Sequence, residues 1–142
     1  CRYFEDLHPE PSLLGKTALE KALITNRQRK MEFDGMIAGS EVFRNTHEAF
    51  SHRSLPGAGT DQLPAIPGLV ERGKQTLVRF FSSLEDYLSD SNYGAGNEFS
   101  MADITAVCAV DFAKWVEIEI PSENTKSLAW YEQVSARPSA TA

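Results

Sequence analysis

The chain has 142 residues, of which 42% are hydrophobic and 24% are charged, a composition typical of a globular domain that excludes a disordered chain. Twenty acidic residues against fourteen lysines and arginines give a formal net charge of −6. This acidic balance argues against a nucleic-acid-binding protein, because phosphate binding needs a basic surface. No apolar run approaches the ~20 residues of a membrane span, so no membrane partner is expected.

The cysteines and the first residues indicate a cytoplasmic protein. The chain opens on charged sequence without an apolar stretch, so no secretory leader is expected. Its two cysteines are too few for a disulfide scaffold. Cys108 lies in the apolar run 106–110 and is predicted to be a buried core residue. The histidines are scattered along the sequence and predict no metal site; they are His8, His47 and His52.

The first half of the chain predicts a short helix followed by a long one. Residues 1–7 have the composition of a helix end, and prolines follow them. No proline occurs between residues 11 and 56, so a long helix is predicted from about residue 17 to about residue 52. Gly35 and Gly39 within it predict a bend or a close approach by a neighbouring element.

Three further helices are predicted in the second half. The loop 54–65 is rich in proline and glycine, and Pro67 suits the first turn of a helix that runs to Leu88. The most apolar segment, 101–118, predicts a central buried helix, and a short helix follows over 123–136. Apolar residues at three- and four-residue spacing predict the buried stripe of the helix that begins at Pro67, namely Val70, Gly73, Leu77, Phe80, Phe81, Leu84 and Leu88.

Only one segment alternates as a strand would. Residues 116–120 alternate apolar and acidic, but a lone strand has no partner, so the segment is predicted to be a helix end or an extended turn. The sequence therefore predicts an all-α fold. Trp115 and Trp130 are predicted to pack between its helices.

A helix cap at Ser100 is the strongest local signal. Ser100 is predicted to be the N-cap of the central helix, and Asp103, three residues later, can accept a hydrogen bond from the Ser100 backbone N–H, as in a capping box. The negative charge of Asp103 also suits a helix N-terminus. Both residues are therefore assigned a structural role, and Asp103 is not a catalytic candidate.

Three motifs, in a fixed order along the chain, carry a family resemblance. They are residues 13–20 (Leu-Leu-Gly-Lys-Thr-Ala-Leu-Glu), 26–33 (Asn-Arg-Gln-Arg-Lys-Met-Glu-Phe) and 95–105 (Ala-Gly-Asn-Glu-Phe-Ser-Met-Ala-Asp-Ile-Thr). Together with residues 111–113 and 135–139, they resemble the C-terminal helical domain of cytosolic glutathione transferases. The similarity is greatest to the theta-like bacterial and fungal branch, and it covers nearly the whole chain.

The resemblance implies a domain organisation. Residues 1–11 would be the remnant of the last helix of a thioredoxin-like domain plus a linker, and residues 12–142 would be the all-α C-terminal domain, a helical bundle. In the family, the thioredoxin-like domain binds glutathione and usually supplies the catalytic group. Because the rest of that domain is absent from the sequence, no catalytic residue is assigned in this chain.

The resemblance also implies a function. The chain would form the electrophile pocket wall and dimer interface of a detoxifying enzyme that conjugates reduced glutathione to hydrophobic electrophiles. Glutathione would be a co-substrate, with no tightly bound cofactor and no metal, and the parent would be a homodimer; the isolated chain is expected to be inactive. The alternative is a non-catalytic transferase-like protein-interaction module. The electrophile, and the choice between conjugation, peroxide reduction and disulfide exchange, stay open.

One stripe of the long helix is the candidate substrate-binding surface. Arg29, Phe33, Met36 and Ser40 follow one another at steps of four, three and four residues. One cation, two apolar groups and a hydroxyl suit a pocket wall. The alternatives are a packing stripe for Phe33 and Met36, and a solvated helix face with a pair between Lys30 and Asp34.

Overall fold

The computed structural model describes residues 2–50 and 63–140. Its helices are α1 (Arg2–Leu7), α2 (Ala18–Lys30), α3 (Ala38–Thr46), α4 (Pro67–Ser89), α5 (Met101–Lys114) and α6 (Thr125–Ser135). A π-helical segment, Met31–Ile37, joins α2 to α3, and short 3-10 turns cover Glu48–Phe50 and Pro138–Ala140. Within these ranges no strand forms, and Tyr93 and Gly96 make an isolated bridge. The all-α prediction is confirmed.

The predicted long helix is an uninterrupted rod built from α2, the π segment and α3. Thr17 begins it with a capping box: its hydroxyl accepts from the Glu20 N–H at 3.2 Å, and its own N–H donates to the Glu20 carboxylate at 2.9 Å. The rod ends at Thr46 because His47 is extended, so the predicted continuation to residue 52 is wrong for 47–50. Residues 51 and 52, and most of the predicted loop 54–65, lie outside the described residues.

The core lies where the rod, α4, α5 and α6 meet. The stripe predicted on α4 is confirmed, since all its members are buried except Val70, which is partly buried and packs against the core. From α5, Ala106, Ala109 and Val110 fill the centre, and Trp130 of α6 closes one side at 3% exposure. Burying each large apolar side chain contributes about 1.5–3 kcal/mol, which makes this contact region the main source of stability.

Close approach between helices explains two glycines. A Cβ built on Gly35 would lie 2.6 Å from the Cβ of Ala109, and one on Gly73 would lie 2.7 Å from Val42 Cγ2. Both distances are shorter than carbon atoms tolerate, so only glycine allows the rod to pack this closely on α5 and α4. The close approach predicted at Gly35 is therefore observed.

Helix α5 ends earlier than the sequence predicts. It stops at Lys114, and Glu117 then adopts a left-handed conformation with φ of 61°, so residues 115–117 form a turn rather than helix. Trp115 is 70% exposed at this end, so it is not a core residue, but its ring contacts that of Phe43 on α3, as the prediction of packing between helices requires. The prediction for Cys108 is wrong, because its thiol lies on the exposed face of α5.

Helix α6 takes its N-terminal cap from a distant residue. The Glu85 carboxylate of α4 accepts from the backbone N–H groups of Lys126 at 3.1 Å and Ser127 at 2.8 Å, and from the Ser127 hydroxyl at 2.7 Å. These N–H groups belong to the first turn of α6, where no intrahelical acceptor exists. Glu85 therefore fixes α6 against α4.

None of the helices in the described ranges has the length and apolar character that would let it cross a lipid bilayer.

Candidate functional site

A cleft opens between α1, the first half of the rod and the start of α5. Its volume is about 560 Å³, which is within the range of small-molecule sites. Most of its lining residues are charged or polar, and Leu14 and Met101 are the apolar ones. The lining consists of Arg2, Glu5, Asp6, Leu14, Lys21, Thr25, Gln28, Arg29 and Met101.

Glu5 shapes this cleft by binding the loop that joins α1 to α2. Its carboxylate accepts from the Ser12 hydroxyl at 2.7 Å and from the backbone N–H groups of Leu13 and Leu14, each at 2.9 Å. Burial would raise the pKa of Glu5, but these hydrogen bonds outweigh it and lower the pKa. The loop is also tied to α5, because the Met101 N–H donates to the Leu13 carbonyl at 2.9 Å.

Helix α1 presents an apolar surface on the other side of Glu5. The helix has no buried residue, and its large apolar side chains Tyr3, Phe4 and Leu7 are 69%, 66% and 55% exposed. A second groove of about 390 Å³ begins here. It is lined by Phe4, Glu5, His8, Glu10, Pro11, Leu13, Leu14 and Met101. Exposed large apolar side chains grouped in this way are typical of surfaces that other protein segments cover.

Arg29 is the predicted site residue that lines the cleft. Its guanidinium pairs with Glu32 at 2.5 Å and lies over the Phe33 ring at 4.7 Å. Phe33 itself is 52% exposed beside it. Arg29 and Phe33 are thus brought together as predicted, and the ion pair on this face joins Arg29 to Glu32 rather than Lys30 to Asp34.

Met36 and Ser40 do not continue the predicted stripe. Met36 is partly buried and packs against the core, whereas Ser40 is exposed. The π-helical segment explains the difference, because its hydrogen bonds run from i to i+5 and the turn is wider than the one assumed for an α-helix. Neither residue lines the two grooves described above.

The Ser100–Asp103 cap is confirmed, and Asp103 does more than the sequence predicts. Its carboxylate, 0% exposed, accepts from the Ser100 N–H at 3.0 Å, the Gly94 N–H at 2.8 Å and the Trp130 indole N–H at 3.0 Å. It therefore links the start of α5, the preceding loop and α6. This arrangement satisfies buried donors and leaves no lone pair aimed at a ligand, which fits the structural role predicted.

Sequence analysis missed an aromatic cluster at the far end of the rod. The Phe43 ring lies 5.6 Å from that of Phe112, 5.8 Å from that of Trp115 and 4.9 Å from the His47 imidazole. These residues come from α3, α5 and the residues just after them, so helical periodicity within one element could not have grouped them. Exposed Trp115 makes this end a second apolar surface.

Among residues 2–50 and 63–140, no three His, Cys, Asp or Glu side chains converge in a geometry that could hold a metal ion.

The sequence matches a known protein family. The family described as "Glutathione S-transferase, C-terminal domain" matches residues 59–138. The chain is 30% identical over 138 residues to Glutathione S-transferase 2 of Saccharomyces cerevisiae, covering 96% of the chain and 56% of that protein. It is 35% identical over 91 residues to Glutathione S-transferase TCHQD of Arabidopsis thaliana, covering 62% of the chain and 34% of that protein.

The fold is similar to solved structures of the same kind. Gtt2 from Saccharomyces cerevisiae superposes with a TM-score of 0.83 at 28% identity, covering 99% of the chain and 64% of Gtt2. A glutathione S-transferase domain-containing protein of Marinobacter aquaeolei VT8 gives a TM-score of 0.83 at 28% identity, with 98% and 64% covered. The chain thus spans less than two thirds of the length of these relatives.

Proposed function

We propose a role for this chain on the premise that it belongs to the glutathione S-transferase family, whose C-terminal helical domain it contains. The chain forms the electrophile-pocket and dimerisation part of an enzyme that joins the sulfur of reduced glutathione to a hydrophobic electrophile. The observation that carries the proposal is its 30% identity to yeast Glutathione S-transferase 2 over 96% of the chain. Detoxification of electrophiles in the cytoplasm is the corresponding cellular role.

The chain contributes binding rather than chemistry in this proposal. The reactive species is the glutathione thiolate, which needs hydrogen bonds or positive charge to stabilise it. We assign no residue of the chain to that task and propose that residues outside it bind glutathione, with residues 1–11 leading from that region into the helical domain of 12–142. The isolated chain is then inactive, and glutathione is a co-substrate rather than a bound cofactor.

The electrophile lies, in this proposal, against the rod. Arg29 and Phe33 are adjacent and accessible, so they can contact an apolar molecule and any anionic group attached to it. Ser40 offers an exposed hydroxyl further along, and Met36 supports the wall from behind. The exposed aromatic surface at Trp115 extends the apolar area available at the far end.

Dimerisation through the rod is the second part of the proposal. Large apolar side chains are exposed along it, namely Leu19, Leu23 and Ile37, at 78%, 39% and 41%. A homodimer would bury such residues, and burial of apolar area is the main driving force of association.

The test is turnover by the natural protein that contains this chain. With glutathione and a chlorodinitrobenzene we expect conjugation, and Phe33→Ala should raise the KM for the electrophile about three- to tenfold without changing the KM for glutathione. Leu128→Ala, which removes an exposed apolar side chain from α6, is the control and should leave both constants unchanged. Absence of turnover and of retention on immobilised glutathione would favour the non-catalytic interaction module instead.

A further inference from the structure

The loop that joins α1 to α2 is held to the helical domain at two points. The Met101 N–H, which has no intrahelical acceptor because it lies in the first turn of α5, donates to the Leu13 carbonyl at 2.9 Å. Gly15 then turns the chain into the start of the rod with φ of 92°. A Cβ on Gly15 would lie 2.8 Å from the Lys21 backbone nitrogen, so the loop passes directly against α2. The second half of the loop is therefore fixed to both α5 and the rod.

Glu5 attaches α1 to this fixed part of the loop. Its Oε1 atom accepts from the Ser12 hydroxyl at 2.7 Å and from the Leu13 and Leu14 N–H groups, each at 2.9 Å. Its Oε2 atom accepts from the Leu13 N–H at the longer distance of 3.2 Å. Burial would raise the pKa of Glu5, but these hydrogen bonds and the nearby charge of Lys21 lower it. The charged carboxylate is therefore the form that the loop binds.

The other residues of α1 do little to hold the helix in place. All of them are exposed, and Glu5 alone in α1 is half-buried. Among residues 2–50 and 63–140, the side-chain hydrogen bonds between α1 and the rest of the chain all end on Glu5. No ion pair within these ranges includes a residue of α1. The orientation of α1 relative to α5 therefore depends chiefly on one carboxylate.

We propose that Glu5 is a positioning residue that sets how the glutathione-binding region meets the electrophile wall on the rod. This inference rests on the function proposed above, in which that region lies outside the chain and continues into α1. A hydrogen-bonded path then runs from α1 through Glu5 and Leu13 to α5, which packs closely on the rod at Gly35. Thiolate and electrophile must be aligned to react, and a displacement of about 1 Å can slow a reaction about a hundredfold. Glu5 acts through this alignment and contacts neither reactant.

Turnover by the natural protein that contains this chain separates positioning from stability. With glutathione and a chlorodinitrobenzene, Glu5→Ala should lower kcat about tenfold and leave the KM for glutathione unchanged. Here kcat is expressed per glutathione-binding site, counted by calorimetric titration, so that a loss of folded protein alone would not change it. Glu5→Gln should restore most of the activity, because its amide oxygen can replace Oε1, the atom that accepts from Ser12, Leu13 and Leu14.

Residual dipolar couplings of the same protein, measured by NMR, report the orientation of α1 without requiring turnover. In the unaltered protein and in Glu5→Gln, the amide couplings of α1 and α5 should fit one alignment tensor, whereas in Glu5→Ala those of α1 should depart from it. Asp6→Ala is the matched control, because it removes an exposed carboxylate from the same helix, and it should change neither kcat nor the couplings.

An unchanged kcat per site in Glu5→Ala, or α1 couplings that still fit the tensor of α5 with the same angle between the helices, would overturn the proposal. Equal effects of Asp6→Ala and Glu5→Ala would overturn it as well, since they would implicate the charge of α1 rather than these hydrogen bonds. If the unaltered protein shows no turnover, the proposed function fails, and the couplings alone decide whether Glu5 orients α1.

Discussion

Trp130 and Asp103 are joined by a buried hydrogen bond in which the indole Nε1–H of α6 donates to Asp103 Oδ1 of α5 at 3.0 Å. The residues are 3% and 0% exposed. The same carboxylate caps α5 through Ser100, so one buried charge sets both the start of the central helix and the position of the helix beside it. A buried carboxylate is tolerated only when donors surround it, and here the fold supplies them.

Asp103→Ala should therefore destabilise the fold severely without altering either groove. The substitution leaves the Gly94, Ser100 and Trp130 donors buried without an acceptor, and each lost partner costs about 1–3 kcal/mol. We expect a loss of at least about 3 kcal/mol in the free energy of unfolding, measured by urea denaturation. Trp130→Phe, which removes one donor, should cost less.

Asp86→Ala, at an exposed carboxylate of α4, is the control for Asp103→Ala. It should change the unfolding midpoint little, because exposed charges contribute little to stability. An unchanged midpoint for Asp103→Ala would contradict the role assigned to this carboxylate.

Gly35→Ala should destabilise the contact between the rod and α5. The new methyl group would lie 2.6 Å from Ala109 Cβ, and overpacking of a filled core costs about 1–3 kcal/mol. The double variant with Ala109→Gly should be less destabilised than the sum of the single variants, which urea denaturation measures as a coupling energy. Gly68→Ala on α4, where a Cβ meets nothing within 4 Å, should not destabilise; a similar loss there would implicate backbone effects instead.

The helices, the α4 stripe and the Ser100 cap could be predicted from sequence because each depends on residues a few positions apart. Helical periodicity and capping residues are local signals. The π segment could not be predicted, since Met31–Ile37 contains ordinary helix-compatible residues. It lies where the rod packs on α4 and α5, which local sequence does not reveal. That segment is also why the predicted stripe breaks at Met36.

Long-range capping is the other feature that the sequence does not reveal. Glu85 and Ser127 are 42 positions apart, and nothing near Glu85 distinguishes it from other surface acids. Burial is hard to predict for a related reason: hydrophobic character favours burial but does not show which face of α5 meets the core, so Cys108 is exposed within an apolar run. Trp115 contacts Phe43 but stays 70% exposed, because α5 ends just before it.

Cys108 should react with thiol reagents in the folded state. In a Cys1→Ser variant, dithiobis(nitrobenzoate) should modify the remaining thiol without denaturant, because Cys108 is exposed and accessible thiols react through their thiolate. The double variant with Cys108→Ser gives the background. Protection until denaturant is added would show that the thiol is buried, as hydrophobic patterning alone predicts.

Glu85→Gln should weaken the attachment of α6 in a pH-dependent way. Burial would raise the pKa of Glu85, but the hydrogen bonds from Ser127 and Lys126 outweigh it and lower the pKa below the ordinary value of 4.5. Because the folded-state pKa lies below the unfolded one, the stabilisation is present above about pH 4.5 and is lost as the pH falls through the folded-state pKa. At pH 7 we expect Glu85→Gln to lower the free energy of unfolding, measured by urea denaturation, by about 1–2 kcal/mol. This loss relative to the unaltered chain should shrink at a pH below the folded-state pKa of Glu85. Glu132→Gln, at an exposed residue of α6, is the control and should change the free energy of unfolding little. If Glu85→Gln costs the same at pH 7 and in acid, the charge of Glu85 does not contribute to the cap.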